Sequence, residues 1–266
     1  MSQRDVYKDL VAEGADLDHL VADLEPDAWT LDTPAPGWTV AHQIAHLAAT
    51  FRLASVAATS TAAFQAIAAK LSPDFDANVA AAMAGYLAEP PDVLLSRWRH
   101  ERAAAETALA RLPHDQTVPW VVRPLPAGVL AAAGIMELFA HGQDVADALG
   151  ERREPTDRLW HLAAFAVRNW DFGYQVRGLT PPAEPFRFTL TAPSGAVWRF
   201  GPEDARQHVS GPAVDFCLLV TRRRHPADLD VRADGADAEQ WLGIAQAYRG
   251  TAGPGRLPGQ FANARH

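Results

Sequence analysis

The chain has 266 residues, of which 48% are hydrophobic and 21% are charged. This is the composition of a folded globular protein, and it excludes a disordered or fibrous chain. The 24 Lys and Arg residues are outnumbered by 32 Asp and Glu residues, for a formal net charge of −8, which argues against a protein that binds nucleic-acid phosphates, because such binding needs clustered basic residues.

The sequence predicts a cytoplasmic protein without disulfides. The first ten residues already carry four charged side chains, and no apolar run approaches the roughly 18 residues that a membrane helix needs. We therefore expect neither a signal peptide nor a membrane span. The single cysteine, Cys217, lies in an apolar run and is interpreted as a core residue. One cysteine cannot form an internal disulfide or a four-cysteine zinc site.

Residues 1–150 are predicted to form a bundle of four long helices. Apolar residues recur there at intervals of three and four, as on the buried side of an amphipathic helix. The predicted long helices cover residues 6–24, 40–70, 92–112 and 128–149, with a shorter helix at 76–87. Thr39 and Asp92 are predicted N-caps, and Gly150 is expected to close the last helix.

Residues 151–266 are predicted to form a small α+β domain with a linking helix and an irregular tail from Gly250 onward. The apolar period changes there from helical spacing to the alternation of a strand. The predicted elements are helices at 157–176, 214–221 and 236–248, and strands at 186–192, 196–200 and 228–232. A turn at 193–195 joins the first two strands. The predicted fold class of the whole chain is therefore α+β.

Two pairs of metal-ligating side chains lie on predicted helices. His42 and His46 are four residues apart in the second long helix, and Glu137 and His141 are four apart in the fourth. Residues four apart share one helix face, so each pair could hold a metal ion. If the two helices pack together, one histidine would join Glu137 and His141. Two imidazoles with one carboxylate are typical of catalytic zinc and also suit other divalent metals.

The spacing alone also fits ordinary helix pairs without a metal. Both pairs lie among apolar residues, including Ile44, Leu47, Leu138 and Phe139. Burying histidine and glutamate without partners in such surroundings would be costly. The apolar setting therefore favours the metal site.

The order of these motifs resembles a known family. The segment from Gly37 through Trp38 to His46 precedes Glu137-x-x-x-His141-x-x-Asp144 by about 90 residues. This pattern resembles the N-terminal metal-binding domain of mycothiol-dependent maleylpyruvate isomerases, within the DinB-like superfamily of four-helix metalloproteins. The resemblance covers residues 5–150.

The C-terminal part is similar to an actinobacterial subfamily labelled "wyosine base formation" or "metal-binding protein". The similar runs are Pro193–Glu203, Gly211–Cys217 and Trp241–Gln246. This domain is also similar to sterol-carrier-like folds. The first label implies tRNA modification, but the acidic charge balance and the single cysteine give that function no physical support.

The resemblance implies His46, Glu137 and His141 as the three metal ligands. It implies that Asp144, a candidate catalytic residue, orients a ligand or hydrogen-bonds substrate. The implied cofactors are Zn²⁺, or another divalent metal, and mycothiol. The metal would lower the pKa of this thiol, which would attack a small electrophile in an isomerisation or an S-transfer.

His42 stands where the family pattern commonly has Asp. An Asp there would complete a cap of the helix that begins after Thr39. We interpret His42 as a substitute for that cap. The alternatives are a catalytic base beside the metal or a fourth ligand, which would close the site.

Arg222, Arg223 and Arg224 follow the predicted helix that contains Cys217. A cationic patch there could bind an anionic substrate or the thiol, which makes Arg222 and Arg223 candidate cofactor-binding residues and Arg222 a candidate catalytic residue. Positive charge is also favourable at any helix C-terminus, without a functional role.

Two other functions fit the same sequence. A metal-dependent lyase, cyclase or hydrolase would use the three ligands with metal-bound water and no thiol. A non-enzymatic module could bind a small molecule in the sterol-carrier-like domain. The expected partners are a small electrophile and a thiol, with no nucleic acid and no membrane, and the chain is expected to be a monomer or a homodimer.

Overall fold

The computed structural model describes residues 4–121 and 123–261. The chain divides into two compact units, with the boundary between Glu151 and Arg152. The first unit is mainly helical, and the second combines helices with a four-stranded sheet. The predicted α+β class is therefore confirmed. None of the helices in residues 4–121 and 123–261 combines the length and the hydropathy of a membrane-spanning segment.

Four long helices of the first unit pack in a closed ring. The helices of this unit are α1 (Val6–Val21), α2 (Val40–Thr59), α3 (Thr61–Ala68), α4 (Phe75–Leu87), α5 (Pro91–Ala110) and α6 (Ala127–Leu149), and the four of the ring are α1, α2, α5 and α6. Helices α1 and α2 each contact both α5 and α6. A 3-10 helix spans Pro26–Thr30, and strand β1 (Thr117–Val118) pairs with β2 (Leu125–Pro126). The ring places α2 beside α6, the two helices that carry the predicted ligand pairs.

The interior of the first unit is apolar. Its most deeply buried large side chains are Leu10, Leu17, Ile44, Leu47, Leu94, Trp98, Leu109 and Ile135. They lie on α1, α2, α5 and α6, and successive ones on a helix are three, four, seven or eleven residues apart, which places each set on one helix face. Burying one such side chain stabilises a fold by about 1.5–3 kcal/mol, so these residues fix the positions of the four helices.

The second predicted helix is wrong in its length. Instead of one helix over residues 40–70, α2 ends at Thr59 and α3 begins at Thr61. Ser60 between them has an extended backbone, with φ of −154°, and its side chain accepts a hydrogen bond from the Ala63 N–H. Ser60 thus caps a new helix. The alanine-rich sequence around it has the same helical composition on both sides, which concealed the break.

Two other helix termini test the capping predictions. The N-cap of α5 is Pro90, so Asp92 lies in the first turn rather than at the cap. In that turn its carboxylate still interacts favourably with the positive end of the helix dipole. Gly150 closes α6 in the left-handed conformation, with φ of 69°, as predicted.

The second unit is built around a sheet in the order β4-β3-β5-β6. Its elements are α7 (Leu159–Arg168), α8 (Phe172–Gln175), β3 (Phe186–Thr191), β4 (Val197–Phe200), β5 (Gln207–Pro212), α9 (Ala213–Val220), β6 (Arg232–Asp234) and α10 (Ala236–Ile244), with a 3-10 helix at Pro226–Asp228. Strand β3 runs antiparallel to β4 and parallel to β5, and β5 runs antiparallel to β6.

The sequence predicted the β3–β4 hairpin but not the strand beside it. β5 has the sequence Gln-His-Val-Ser-Gly-Pro, in which Val209 is the only large apolar residue, so it gives no alternating pattern. The strand predicted at 228–232 begins instead at Arg232, and the helix predicted over 157–176 is divided into α7 and α8.

Aromatic rings fill the core of the second unit. Phe188 lies 5.5 Å from Trp241 and 5.7 Å from Phe216, measured between ring centroids. Edge-to-face contacts of this kind add to the stabilisation that comes from burial. Cys217 is fully buried beside Phe216 on α9, so its prediction as a core residue is confirmed.

We expect Gly173→Ala to destabilise the protein by about 1–3 kcal/mol. A Cβ at Gly173 would lie 2.0 Å from the carbonyl oxygen of Ile244, a backbone atom that cannot turn aside. The matched control is Gly85→Ala on α4, where a Cβ meets nothing within 4 Å and helix propensity gains up to about 1 kcal/mol. Urea unfolding midpoints test both changes, and an unchanged midpoint for Gly173→Ala would contradict the packing described for α8 and α10.

Candidate metal centre

Helix α2 begins with a capping box formed by Thr39 and His42. The Thr39 N–H donates a hydrogen bond to Nδ1 of His42 at 3.3 Å, and the Thr39 hydroxyl oxygen lies 2.8 Å from the same nitrogen. A side chain at the third helical position usually closes such a box by accepting from the N-cap N–H. His42 makes this contact, as the capping interpretation expects. The box fixes where α2 starts and therefore which way His46, one turn later, points.

His46, Glu137 and His141 converge between α2 and α6. Nε2 of His46 lies 3.5 Å from Oε2 of Glu137, and Nε2 of His141 lies 3.2 Å from the same oxygen. The three candidate ligand atoms lie within 4.8 Å of one another. The side chains are 18%, 22% and 13% exposed, in the same order. Two imidazole nitrogens and a carboxylate oxygen thus meet at a point that a small ligand can reach.

His42 does not belong to this group. Among the described residues, the cluster of potential ligands contains His46, Glu137 and His141. The Nδ1 atom of His42 accepts the capping hydrogen bond instead.

The carboxylate of Glu137 is held in its ionised form. Burial raises the pKa of this carboxyl, but hydrogen bonds and charges from His141 and His46 outweigh burial and bring the pKa well below its ordinary value. An ionised carboxylate between two imidazoles attracts a cation, and the imidazole nitrogens can supply lone pairs to that cation once they release their protons. The donor set therefore fits a divalent metal such as zinc.

Trp38 covers one side of the cluster. Its ring is stacked on His141, with centroids 5.9 Å apart and planes 20° apart, and it lies 5.3 Å from the ring of His46. A turn before α2 holds it in place, in which the Trp38 N–H donates to the Ala35 carbonyl oxygen. Gly37 supplies the positive φ of 76° that this turn needs. The indole shields the two histidines from water on that side.

Gln43 and Thr33 lie behind His141, and neither was predicted from the sequence. Oε1 of Gln43 lies 2.5 Å from Nδ1 of His141, and its amide nitrogen donates to Oγ1 of Thr33 at 2.8 Å. The Thr33 hydroxyl in turn donates to the Trp38 carbonyl oxygen at 2.7 Å. The sequence signal that could have identified Gln43 is its position three residues before His46, which places the two side chains on the same face of α2.

The other candidate residues are less constrained by the structure. Asp144 is fully buried on α6, one turn after His141, and its role toward a ligand or substrate stays a prediction. Arg222 and Arg223 belong to the second unit. The burial of Arg177 lowers its pKa, and the nearby charge of Arg222 lowers it further. Positive charge is therefore concentrated around Arg177 and Arg222. Binding of an anion by Arg222 and Arg223 also stays a prediction.

Two protein-family models match the chain. The family model of the mycothiol maleylpyruvate isomerase N-terminal domain matches residues 10–146, a range that contains the whole candidate metal centre. A second model, described as wyosine base formation, matches residues 182–234. The chain belongs to the mycothiol maleylpyruvate isomerase N-terminal domain family, as the resemblance of its motifs indicated.

Two relatives from Mycobacterium tuberculosis match over nearly their full length. One is an uncharacterized protein of strain CDC 1551 / Oshkosh and the other an uncharacterized protein of strain ATCC 25618 / H37Rv. Each is 47% identical over 248 residues, which covers 93% of this chain and 96% of the relative.

Two crystal structures have a similar fold. One is a histidine-to-alanine mutant of the mycothiol-dependent maleylpyruvate isomerase, with a TM-score of 0.55, covering 86% of this chain and 91% of that one. The other is the mycothiol-dependent maleylpyruvate isomerase, with a TM-score of 0.51, covering 80% and 86%. Both are 16% identical to this chain, so the likeness concerns the fold.

We expect His42→Ala to destabilise α2 without loss of metal. Removing the group that accepts the Thr39 N–H should cost about 0.5–2 kcal/mol, whereas His42→Asp should restore an acceptor and most of the stability. Thermal unfolding of the metal-free protein measures the first effect, and elemental analysis after zinc incubation measures the second. A loss of zinc in His42→Asp would instead favour the fourth-ligand alternative.

The metal-free protein should show the lowered pKa of Glu137 in its stability. Because the carboxyl has a lower pKa in the folded than in the unfolded chain, its ionised form stabilises the fold above the ordinary pKa of 4.5. This contribution is lost as pH falls through the folded-state pKa. In chelator-treated protein, Glu137→Gln should lack this dependence, while Glu203→Gln, at a side chain that is 93% exposed, should follow the wild type. Urea midpoints across acidic pH measure the difference, and parallel curves for wild type and Glu137→Gln would contradict it.

Proposed function

We propose that the chain is a zinc-dependent enzyme that activates a low-molecular-weight thiol, mycothiol, for isomerisation or S-transfer on a small electrophile. The observation that carries the proposal is the convergence of His46, Glu137 and His141 within 4.8 Å of one another. Membership of the mycothiol maleylpyruvate isomerase N-terminal domain family and the similar fold of two mycothiol-dependent maleylpyruvate isomerase structures support it.

The three ligands leave room for a reacting group. Catalytic zinc sites typically have three protein ligands and one open position, whereas structural sites have four. His42 lies outside the cluster of described ligands, which favours the open site. A divalent metal bound there would supply a Lewis acid that lowers the pKa of a thiol.

Side chains beside the metal centre in the first unit would orient the reactants, and two arginines of the second unit are candidates for binding them. Trp38 stacks on His141 and would exclude water from one side of the thiol. Asp144, buried one turn beyond His141, would orient a ligand or accept a hydrogen bond from substrate. Arg222 and Arg223, in the second unit, would bind an anionic substrate or the thiol. No protein nucleophile is needed, because the thiol attacks the electrophile.

Metal content is the first test of this proposal. We expect about one zinc per chain in protein purified without a polyhistidine tag, and loss of that zinc in His46→Ala and in His141→Ala. His100→Ala is the matched control, because His100 is exposed on α5 and should leave the metal content unchanged. Retention of zinc in both ligand variants, or no zinc in the wild type after incubation with it, would overturn the metal site.

Thiol dependence tests the chemistry separately. The zinc-loaded protein should convert maleylpyruvate, the compound in the names of the similar structures, only when mycothiol is added. In cobalt-substituted protein, added mycothiol should change the visible absorption of the metal. Turnover without thiol would favour the lyase, cyclase or hydrolase alternative. If added mycothiol leaves the visible absorption of cobalt-loaded protein unchanged, thiol activation is contradicted.

A further inference from the structure

We propose that Gln43 is a positioning residue that keeps a proton on Nδ1 of His141 and so directs the Nε2 lone pair of that histidine toward the metal position. The role of this proton in metal binding rests on the proposed metal-dependent function. Its structural content, the location of one proton, can be tested in the absence of metal.

The hydrogen-bond chain behind His141 ends at a group that can only accept hydrogen bonds. The Trp38 carbonyl oxygen lies 2.7 Å from Oγ1 of Thr33, so the Thr33 hydroxyl must donate its proton in that direction. The Thr33 oxygen is then left as an acceptor toward Gln43. The amide nitrogen of Gln43 fills that position by donating at 2.8 Å.

The orientation of the Gln43 amide then determines the proton on His141. With its nitrogen toward Thr33, Gln43 presents Oε1 to Nδ1 of His141 at 2.5 Å. An amide oxygen cannot donate, so Nδ1 must carry the proton. Without metal, Nε2 also carries a proton, which it donates to the Glu137 carboxylate, and a metal that displaces this second proton meets the Nε2 lone pair. This is the nitrogen that lies 3.2 Å from Oε2 of Glu137, inside the candidate metal centre.

The reversed amide is less favourable. It would place the Gln43 nitrogen against His141 and the oxygen against Thr33, whose proton would then have to point toward Gln43. The Thr33 and Trp38 oxygens would face each other at 2.7 Å with no proton between them. One hydrogen bond of the chain would be lost in a place where Gln43 is fully buried and Thr33 is 8% exposed, so water could not readily replace it.

Trp38 anchors both the proton position and the ring of His141. Its carbonyl oxygen ends the hydrogen-bond chain, and its indole is stacked on the imidazole. Gln43 therefore holds one edge of the ring while Trp38 covers its face. Groups behind metal-ligating histidines commonly fix the tautomer in this way, and here the group is an amide on α2 that holds a ligand on α6.

Nitrogen-15 NMR of the histidine side chains in metal-free protein at alkaline pH tests the wild type directly. We expect His141, assigned by the signal missing from His141→Ala, to carry a proton on Nδ1, whether or not Nε2 is also protonated toward Glu137. In Gln43→Leu this preference should be lost. A wild-type His141 with a bare Nδ1 would overturn the proposal without any measurement on the metal.

Zinc affinity tests the consequence for the metal. Gln43→Leu should weaken zinc binding by roughly ten- to a hundredfold, and Gln43→Glu, which keeps an acceptor for the Nδ1 proton, should restore most of it. Gln143→Leu is the matched control, because Gln143 is a buried glutamine on α6 whose amide donates to Asp147 instead. Zinc affinity in Gln43→Leu equal to that of Gln143→Leu, with similar unfolding midpoints, would reduce Gln43 to a packing residue.

The two proposals fail in different ways. If His141 carries its proton on Nδ1 but the wild type binds no zinc, the metal-dependent function is wrong while the position of the proton stands. If zinc binds and is lost in His46→Ala, but Gln43→Leu changes neither the tautomer nor the affinity, the metal site stands and the role of Gln43 is wrong.

Discussion

An ionised carboxylate held between two imidazole nitrogens is the interaction on which the candidate metal centre between α2 and α6 depends. Glu137 is on α6, and its oxygen faces His141 on its own helix and His46 on α2. A charge in such a place is tolerated only when opposite charge or a metal compensates its loss of water. The packing of α2 against α6 supplies that compensation, so helix packing and site formation depend on each other.

The residues around this carboxylate constrain one histidine more than the other. His141 is held at Nδ1 by Gln43 and on its face by Trp38. His46 has the Thr50 hydroxyl at 3.5 Å from its Nε2, a distance too long for a strong hydrogen bond. His141 is thus the better fixed ligand, and adjustment to different metals or to a bound thiol falls more easily on His46.

The sequence predicted the parts of the site that follow helical periodicity. His46, Glu137 and His141 could be found because residues four apart share a helix face, and because the surrounding residues are apolar. Gln43 could not, since its partner on α6 is 98 residues away and its contact depends on how two helices pack. β5 was missed because Val209, as its only large apolar residue, gives no alternating strand pattern. The break at Ser60 was missed because the residues on both sides of this cap have helical composition.

The short turn that leads into α2 has a consequence for how this site can vary. Successive residues of an α-helix are rotated by about 100°, and the box of Thr39 and His42 sets residue 40 as the first of α2. One residue inserted between the box and His46 would turn that imidazole away from α6, whereas an insertion beyond Thr59, where α2 ends, would leave its direction unchanged. Insertions and deletions among homologous chains should therefore be rare between Thr39 and His46 and tolerated after Thr59.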